Sequence, residues 1–211
     1  MGIDFIGQPT AVTAKQLLGK KLLIQQNGIY LGGYIVETEA YTGPEDMACH
    51  AYNWRRTPKV EALYAIGGTI YVYTMHGHHM LNLVCQAAGS PEGVLIRGLQ
   101  PTDNAPIMFA NRGKSNHEAT NGPGKLTKAM GITRAYNGIP LNAGPVFLDE
   151  ASGRIPHAIV ASPRIGIPNK GEWTDKPLRF YVAGNPYVSL LPKRQLQPDD
   201  KTWKSCLLSQ H

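Results

Sequence analysis

The sequence predicts one α+β domain, an antiparallel sheet edged by short helices. Three observations predict it. Strand-like runs are joined by hairpin signals, at Asn27-Gly28 and again around His76-Gly77. The helical segments are short and do not alternate regularly with strands, which argues against a βαβ repeat. No linker-like shift of composition divides the 211 residues, so residues 1–211 read as one domain with 195–211 as its tail.

Taken in order, Thr13 followed by Gln16 forms a capping box that opens a short helix ending at Gly19. Lys21 to Gln25 and Tyr30 to Tyr41 are strands on either side of the Asn27-Gly28 turn. Alternation puts Ile35, Glu37, Glu39 and Tyr41 on one face of the second strand. Thr57-Pro58 predicts a helix start, with the helix running to about Tyr64 and stopping at Gly67-Gly68. Ile70 to Met75 and Met80 to Cys85 flank His76-Gly77-His78-His79, a hairpin with imidazoles at its tip. Val94 to Leu99 is a strand stopped by Pro101. Ala105 to Asn111 is helical, and Arg112 to Asn121 is a polar loop. Pro123 to Ala129 is a short helix between Gly122 and Gly131. Val146 to Leu148, His157 to Ala161 and Leu178 to Val182 are strands, and Gln195 to His211 is a tail, helical at its end.

Composition narrows the function classes. A 42% hydrophobic and 17% charged chain has enough apolar residues for a core, which excludes global disorder. No apolar run could span a bilayer, and MGIDFIGQPT has no basic region leading into an apolar one, so neither a membrane protein nor a secreted one is expected. Ile6 stands where a myristoylation signal has Ser or Thr. Cys49, Cys85 and Cys206 are too few and too widely spaced for a disulfide framework or a zinc ribbon, and read as free thiols of a reducing cytoplasm. A net charge of +6 favours an anionic partner such as nucleic acid.

Several residues could carry chemistry. Glu37 and Glu39 share a strand face, and two buried carboxylates are expensive. The pair marks either a solvated edge strand or a cleft in which one carboxylate is a general base. Tyr71 and Tyr73 are either core packing or, with Tyr41, a slot for a flat ring. Asn82 interrupts an apolar run and needs hydrogen-bond partners if buried. His76, His78, His79 and His50 could bind a metal, yet no helical zinc motif is present, and tip imidazoles that touch phosphates or bases are the better reading. Gly122-Pro123-Gly124-Lys125 resembles an anion-binding helix start without being a P-loop. Arg55-Arg56, Lys125, Lys128, Arg164 and Lys170 are either surface charge or a track for a phosphate backbone. A carboxylate, facing aromatics, an amide and a basic surround are what a nucleobase taken out of a duplex would require.

The sequence resembles the alkyladenine (3-methyladenine) DNA glycosylase family of base-excision repair. The resemblance rests on Gly33-Tyr34-Ile35-Val36-Glu37-Thr38-Glu39-Ala40-Tyr41-Thr42-Gly43-Pro44-Glu45-Asp46 through His50, then Arg56-Thr57-Pro58, Tyr71-Val72-Tyr73, Leu81-Asn82 and Val94-Leu95-Ile96-Arg97. It continues through Asn121-Gly122-Pro123-Gly124-Lys125-Leu126, Pro163-Arg164-Ile165-Gly166 and Pro177-Leu178-Arg179-Phe180-Tyr181. The matches keep the family's order along almost the whole chain.

The resemblance implies a compact α+β fold with a curved, mostly antiparallel sheet (a roll or partly open barrel), short peripheral helices and a protruding hairpin. It implies a monofunctional purine DNA glycosylase that needs neither metal nor cofactor. Glu39 would be the general base, with Arg97 and the carbonyl of Ile165 holding the attacking water. Tyr41 and Tyr73 would sandwich the extruded base, His50 would contact it, and Asn82 would exclude guanine. DNA contacts are expected at His76, His78, Arg56, Lys125 and Arg164. Where family members can carry a tyrosine wedge at the hairpin tip, this chain has His76. The expected partner is double-stranded DNA carrying a damaged purine, bound by a monomer in the cytoplasm, associated with the nucleoid in a prokaryote. A damaged-DNA-binding module without turnover, or a hydrolase of small nucleosides, are the other readings. An intact Glu39 and Arg97 speak against the first, and the basic balance speaks against the second.

Overall fold

The computed structural model describes residues 2–205. A short helix α1 (Thr10–Gln16) precedes the long hairpin β1 (Lys20–Gln26) and β2 (Ile29–Tyr41). Next come the hairpin β3 (Ile70–Met75) and β4 (His78–Cys85), strand β5 (Glu92–Asp103), and helices α2 (Ala105–Arg112) and α3 (Pro123–Met130). Strands β6 (Val146–Gly153), β7 (Ile159–Ser162) and β8 (Arg179–Val182) and the one-turn helix α4 (Asp199–Thr202) complete the described chain. All eight strands belong to one antiparallel sheet, ordered β3-β4-β5-β2-β1-β6, with β8 paired to β2 and β7 to β8.

Turn chemistry fixes both hairpins. Asn27 and Gly28 have φ of 49° and 78°, and His76 and Gly77 have 50° and 77°. Two successive left-handed residues make the turn whose twist matches the strands it joins. Register follows: Gln26 pairs with Ile29, and Met75 with His78. His78 and His79 therefore belong to β4, and only His76 and Gly77 form the tip.

Strand alternation divides the sheet. Ile70, Val72, Leu81, Leu83, Val94 and Ile96 point into the main core with Leu126 and Met130 of α3. Tyr71, Val84 and Leu63 pack in a second, smaller cluster on the opposite side. Gly124 permits close approach of α3 to the hairpin, since a Cβ there would lie 2.7 Å from the Cβ of His78.

Four sequence expectations need correction. Helix α1 begins at Thr10 behind Pro9, and Thr13 is buried within it, so no capping box forms. The Thr57-Pro58 segment makes turns and a 3-10 turn at Glu61–Tyr64, because Leu63 and Tyr64 are pulled into the second cluster. Strand β5 runs through Pro101 to Asp103. The register slips between Gly32 and Gly33 there, and an irregularity tolerates a residue without an N–H. Ile35 does not share a face with Glu37: the register slips between them, and Ile35 enters the core beside Val36.

The tail is also more than a tail. Trp203 is 1% exposed, its Nε1 donates to Gln100 Oε1 at 2.9 Å, and Arg154 pairs with Asp199 at 2.6 Å. The predicted helical end, with Cys206, falls on residues 206–211 and lies outside the described residues. Among the described residues, no helix is long and apolar enough to cross a membrane.

Candidate active site

The sheet gathers the site by register. Direct pairing lines up Tyr71 of β3, Asn82 of β4, Leu95 of β5, Glu39 of β2 and Arg179 of β8 in one row. Opposed residues of antiparallel strands project to the same face. Two residues along each strand, the same face adds Tyr73, Arg97, Tyr41 and Glu37. A cleft of about 400 Å³ opens over this face, bounded by Tyr41, His50, Tyr71, Tyr73, Asn82 and Arg97, with Ile165 closing one side and His76 at the rim. Its size suits a small flat ligand.

Glu39 is fully buried. Its Oε1 accepts the Ile165 N–H at 2.7 Å, its Oε2 accepts the Tyr41 hydroxyl at 2.8 Å, and Arg97 Nε lies 3.3 Å from Oε1. Burial raises the Glu39 pKa, while Arg97, the Ile165 N–H and the Tyr41 hydroxyl each pull it back down. Burial, with the Glu39 charge next, pushes Tyr41 well above the usual phenol range, so Tyr41 stays a donor. The Ile165 N–H is engaged by Glu39, and the resemblance assigns a separate role, toward the attacking water, to the Ile165 carbonyl.

The aromatic wall is tied together by direct contacts. His50 Nδ1 and the Tyr71 hydroxyl are 2.8 Å apart, and the His50 ring stands edge-on to Tyr73 with centroids 4.4 Å apart. Burial lowers the His50 pKa, and Arg55 adds to the shift, so the ring is neutral near pH 7. Burial raises Tyr73 to about 12. Asn82 donates Nδ2 to the carbonyls of Tyr71 and Met80 at 3.1 and 3.2 Å, which leaves its oxygen as the amide's remaining acceptor in the cleft.

The expected DNA contacts fall in three settings. His76 and His78 are exposed on the hairpin, and Arg56 is exposed in a pair with Glu61. Lys125 is half-buried at the start of α3, with Nζ 2.7 Å from Asn121 Oδ1. Arg164 is not on the surface. It is 4% exposed, donates to Asp46 and to the Ala40 carbonyl, and lies 4.7 Å from the Tyr41 ring centroid. Asp46 consumes its charge, and its guanidinium backs Tyr41. Among the described residues, no group of three His, Cys, Asp or Glu side chains could hold a metal ion.

Sequence reasoning missed two features. Glu37 is clamped by Arg97, Arg179 and Ser189. The demand of a buried carboxylate for cations was a usable signal for this clamp. A second cleft, lined by Arg55, Lys59 and Arg134, shares His50, Tyr71 and Tyr73 with the first. Lys59 lies close to Arg55 and Arg56 in sequence, but Arg134 is distant from them and nothing local links it to that group.

A family model described as methylpurine-DNA glycosylase matches residues 4–186. A relative from Staphylococcus saprophyticus is 50% identical over 202 residues, which is 96% of this chain and all of that protein. Relatives from Staphylococcus epidermidis and Staphylococcus carnosus are 52% and 51% identical, over 96% of this chain and 98% of their own length. All three carry the name "Putative 3-methyladenine DNA glycosylase". A match over most of the chain and relatives at half identity over nearly all of it define the class, and the chain belongs to the methylpurine-DNA glycosylase family. It is a DNA glycosylase, a hydrolase of N-glycosyl bonds that serves repair of alkylated DNA.

Proposed function

We propose that the protein extrudes a damaged purine of the 3-methyladenine, 7-methylguanine, hypoxanthine or ethenoadenine type from duplex DNA. It then hydrolyses the N-glycosidic bond, leaving an abasic site. The observation that carries this reading is the buried Glu39 carboxylate, held by Tyr41 and Ile165 beside an aromatic cleft. Water attacks the anomeric carbon, its proton passes to Glu39, and the bond electrons leave with the base. Positive charge builds on the sugar as the bond breaks, and an ionised Glu39 stabilises it. Arg97 and the Ile165 carbonyl orient the water.

Tyr41 and Tyr73 stack on the base. A cationic alkylated ring between tyrosine faces gains roughly 0.5–2 kcal/mol from cation–π attraction. Neutral His50 meets the ring without charge repulsion, and Asn82 crowds the exocyclic amino group of normal guanine. His76 plugs the gap left in the duplex, while Arg56, Lys125 and His78 contact the backbone. The enzyme acts as a monomer in the cytoplasm, without metal or cofactor.

The test is single-turnover base release from duplex oligonucleotides that each carry one lesion. Wild type should release at least one base, and Glu39→Gln should bind that duplex with negligible turnover. Tight binding by wild type with no release from any lesion would instead establish a damage-binding module.

A further inference from the structure

Two buried carboxylates stand beside one guanidinium. Arg97 Nε lies 3.0 Å from Glu37 Oε1 and 3.3 Å from Glu39 Oε1, but only the first contact has hydrogen-bond geometry. Glu37 is fully buried, and nothing in the reading above uses it. Its Oε1 also accepts Arg179 Nε at 2.7 Å and the Ser189 hydroxyl at 2.7 Å, and its Oε2 accepts the Ser189 N–H at 2.7 Å. The Ser189 hydroxyl is also 3.3 Å from an Arg97 terminal nitrogen, and the Ser189 carbonyl accepts from Arg179 at 2.8 Å.

Ser189 lies beyond residue 186, where the family match ends. The next residue, Leu190, has φ of 55° and is 79% exposed. A bulky residue held left-handed and bare to solvent is unfavourable locally and persists because its neighbours fix it. Here the fixed neighbour is the Ser189 clamp.

We infer that Glu37, clamped by Ser189 and Arg179, is a positioning residue for Arg97. It takes the directed hydrogen bond of Arg97, so that Arg97 meets Glu39 with its charge but without a hydrogen bond. Glu39 keeps the electron density a base needs, while its charge is still compensated. The groups that face Glu39 are Arg97 from β5, Glu37 and Tyr41 from β2, Tyr73 from β3, Arg164 beside the Ile165 N–H, and Arg179 from β8. Removing the Glu37 charge deletes one group that favours the protonated acid. It also frees Arg97 to bond Glu39, so both effects make Glu39 a weaker base.

This rests on Glu39 being the general base, and the experiment separates the two. Single-turnover release of a cationic methylated purine is followed against pH for wild type, Glu37→Gln and Ser189→Ala. The carboxyl 13C signal of Glu39 is titrated in the same free proteins. Glu37→Gln should move the acid limb and the Glu39 titration to lower pH and lower the plateau rate about tenfold. Ser189→Ala keeps the backbone contact, so it should move both in the same direction by less, and it serves if Glu37→Gln does not fold. An active wild type with limb and titration unmoved in the folded variants would make Glu37 merely structural and overturn the inference. Turnover retained in Glu39→Gln and lost in Glu37→Gln would overturn the reading of the base itself.

Discussion

The Tyr41 hydroxyl donates to Glu39 Oε2 at 2.8 Å, from a residue two positions along the same strand. Strand geometry puts both on one face, so a single segment supplies a carboxylate, its donor and one wall of the cleft. Arg164 lies 4.7 Å from that tyrosine's ring centroid and holds it from behind.

Tyr41→Phe separates these roles. The ring remains for stacking, but Glu39 loses a hydrogen bond that favours its ionised form. The acid limb of base release should move to higher pH. On the acid side of that limb the rate should fall about tenfold or somewhat more, as expected for a hydrogen bond to a charged group. A pH series of single-turnover rates with equal DNA affinity checks it; an unmoved limb would assign Tyr41 to stacking alone.

Glu39 also has a stability consequence. Its pKa is raised in the folded state, chiefly by burial, so the folded protein holds the proton more tightly than the unfolded chain does. A raised carboxyl pKa stabilises the fold when the group is protonated. That contribution fades as pH rises from the unfolded value through the folded one. Glu39→Gln should therefore unfold at higher denaturant concentration than wild type near neutral pH. The gap should close as pH falls through the carboxyl range. Urea midpoints at several pH values measure both.

Asp46 pairs with Arg164 where both side chains are fully buried, and it also accepts the N–H groups of Thr42 and Ala48. Asp46→Ala leaves a buried guanidinium without its counter-charge, a loss of about 3–5 kcal/mol. Urea unfolding should register it. In the folded fraction, loosening of the loop that carries His50 and of the backing of Tyr41 should weaken binding of the damaged duplex.

What the sequence made legible was whatever depends on local rules. The two-residue turns and strand alternation put Tyr71, Asn82, Leu95 and Glu39 on one face once register was set. Alternation failed at Ile35, because a slip of register leaves no mark in residue type. Thr57-Pro58 looked like a helix start because local preference carried no information about Leu63 and Tyr64 entering the second cluster. Residues 195–203 looked like a tail because their anchors, Gln100 and Arg154, are distant in sequence. Glu37 was recognisable as a carboxylate in need of partners. Arg97 lies 60 positions away and Arg179 lies 142, and only folding selects them.

His76 is the one tip residue that is not glycine, and it adopts φ of 50°, a conformation histidine tolerates better than most bulky residues. A wedge acts on extrusion, not on bond cleavage, so its removal should leave chemistry on an already unpaired base nearly intact. His76→Ala should slow release from a base-paired lesion about tenfold, yet change release from the same lesion in single-stranded or mispaired DNA less than twofold. His76→Tyr, with a larger flat ring, should restore or exceed the wild-type rate on the paired substrate. Single-turnover rates on paired and unpaired versions of one sequence give the ratio directly. Equal losses on both would place His76 in the base pocket and leave the plugging role to another residue of the rim.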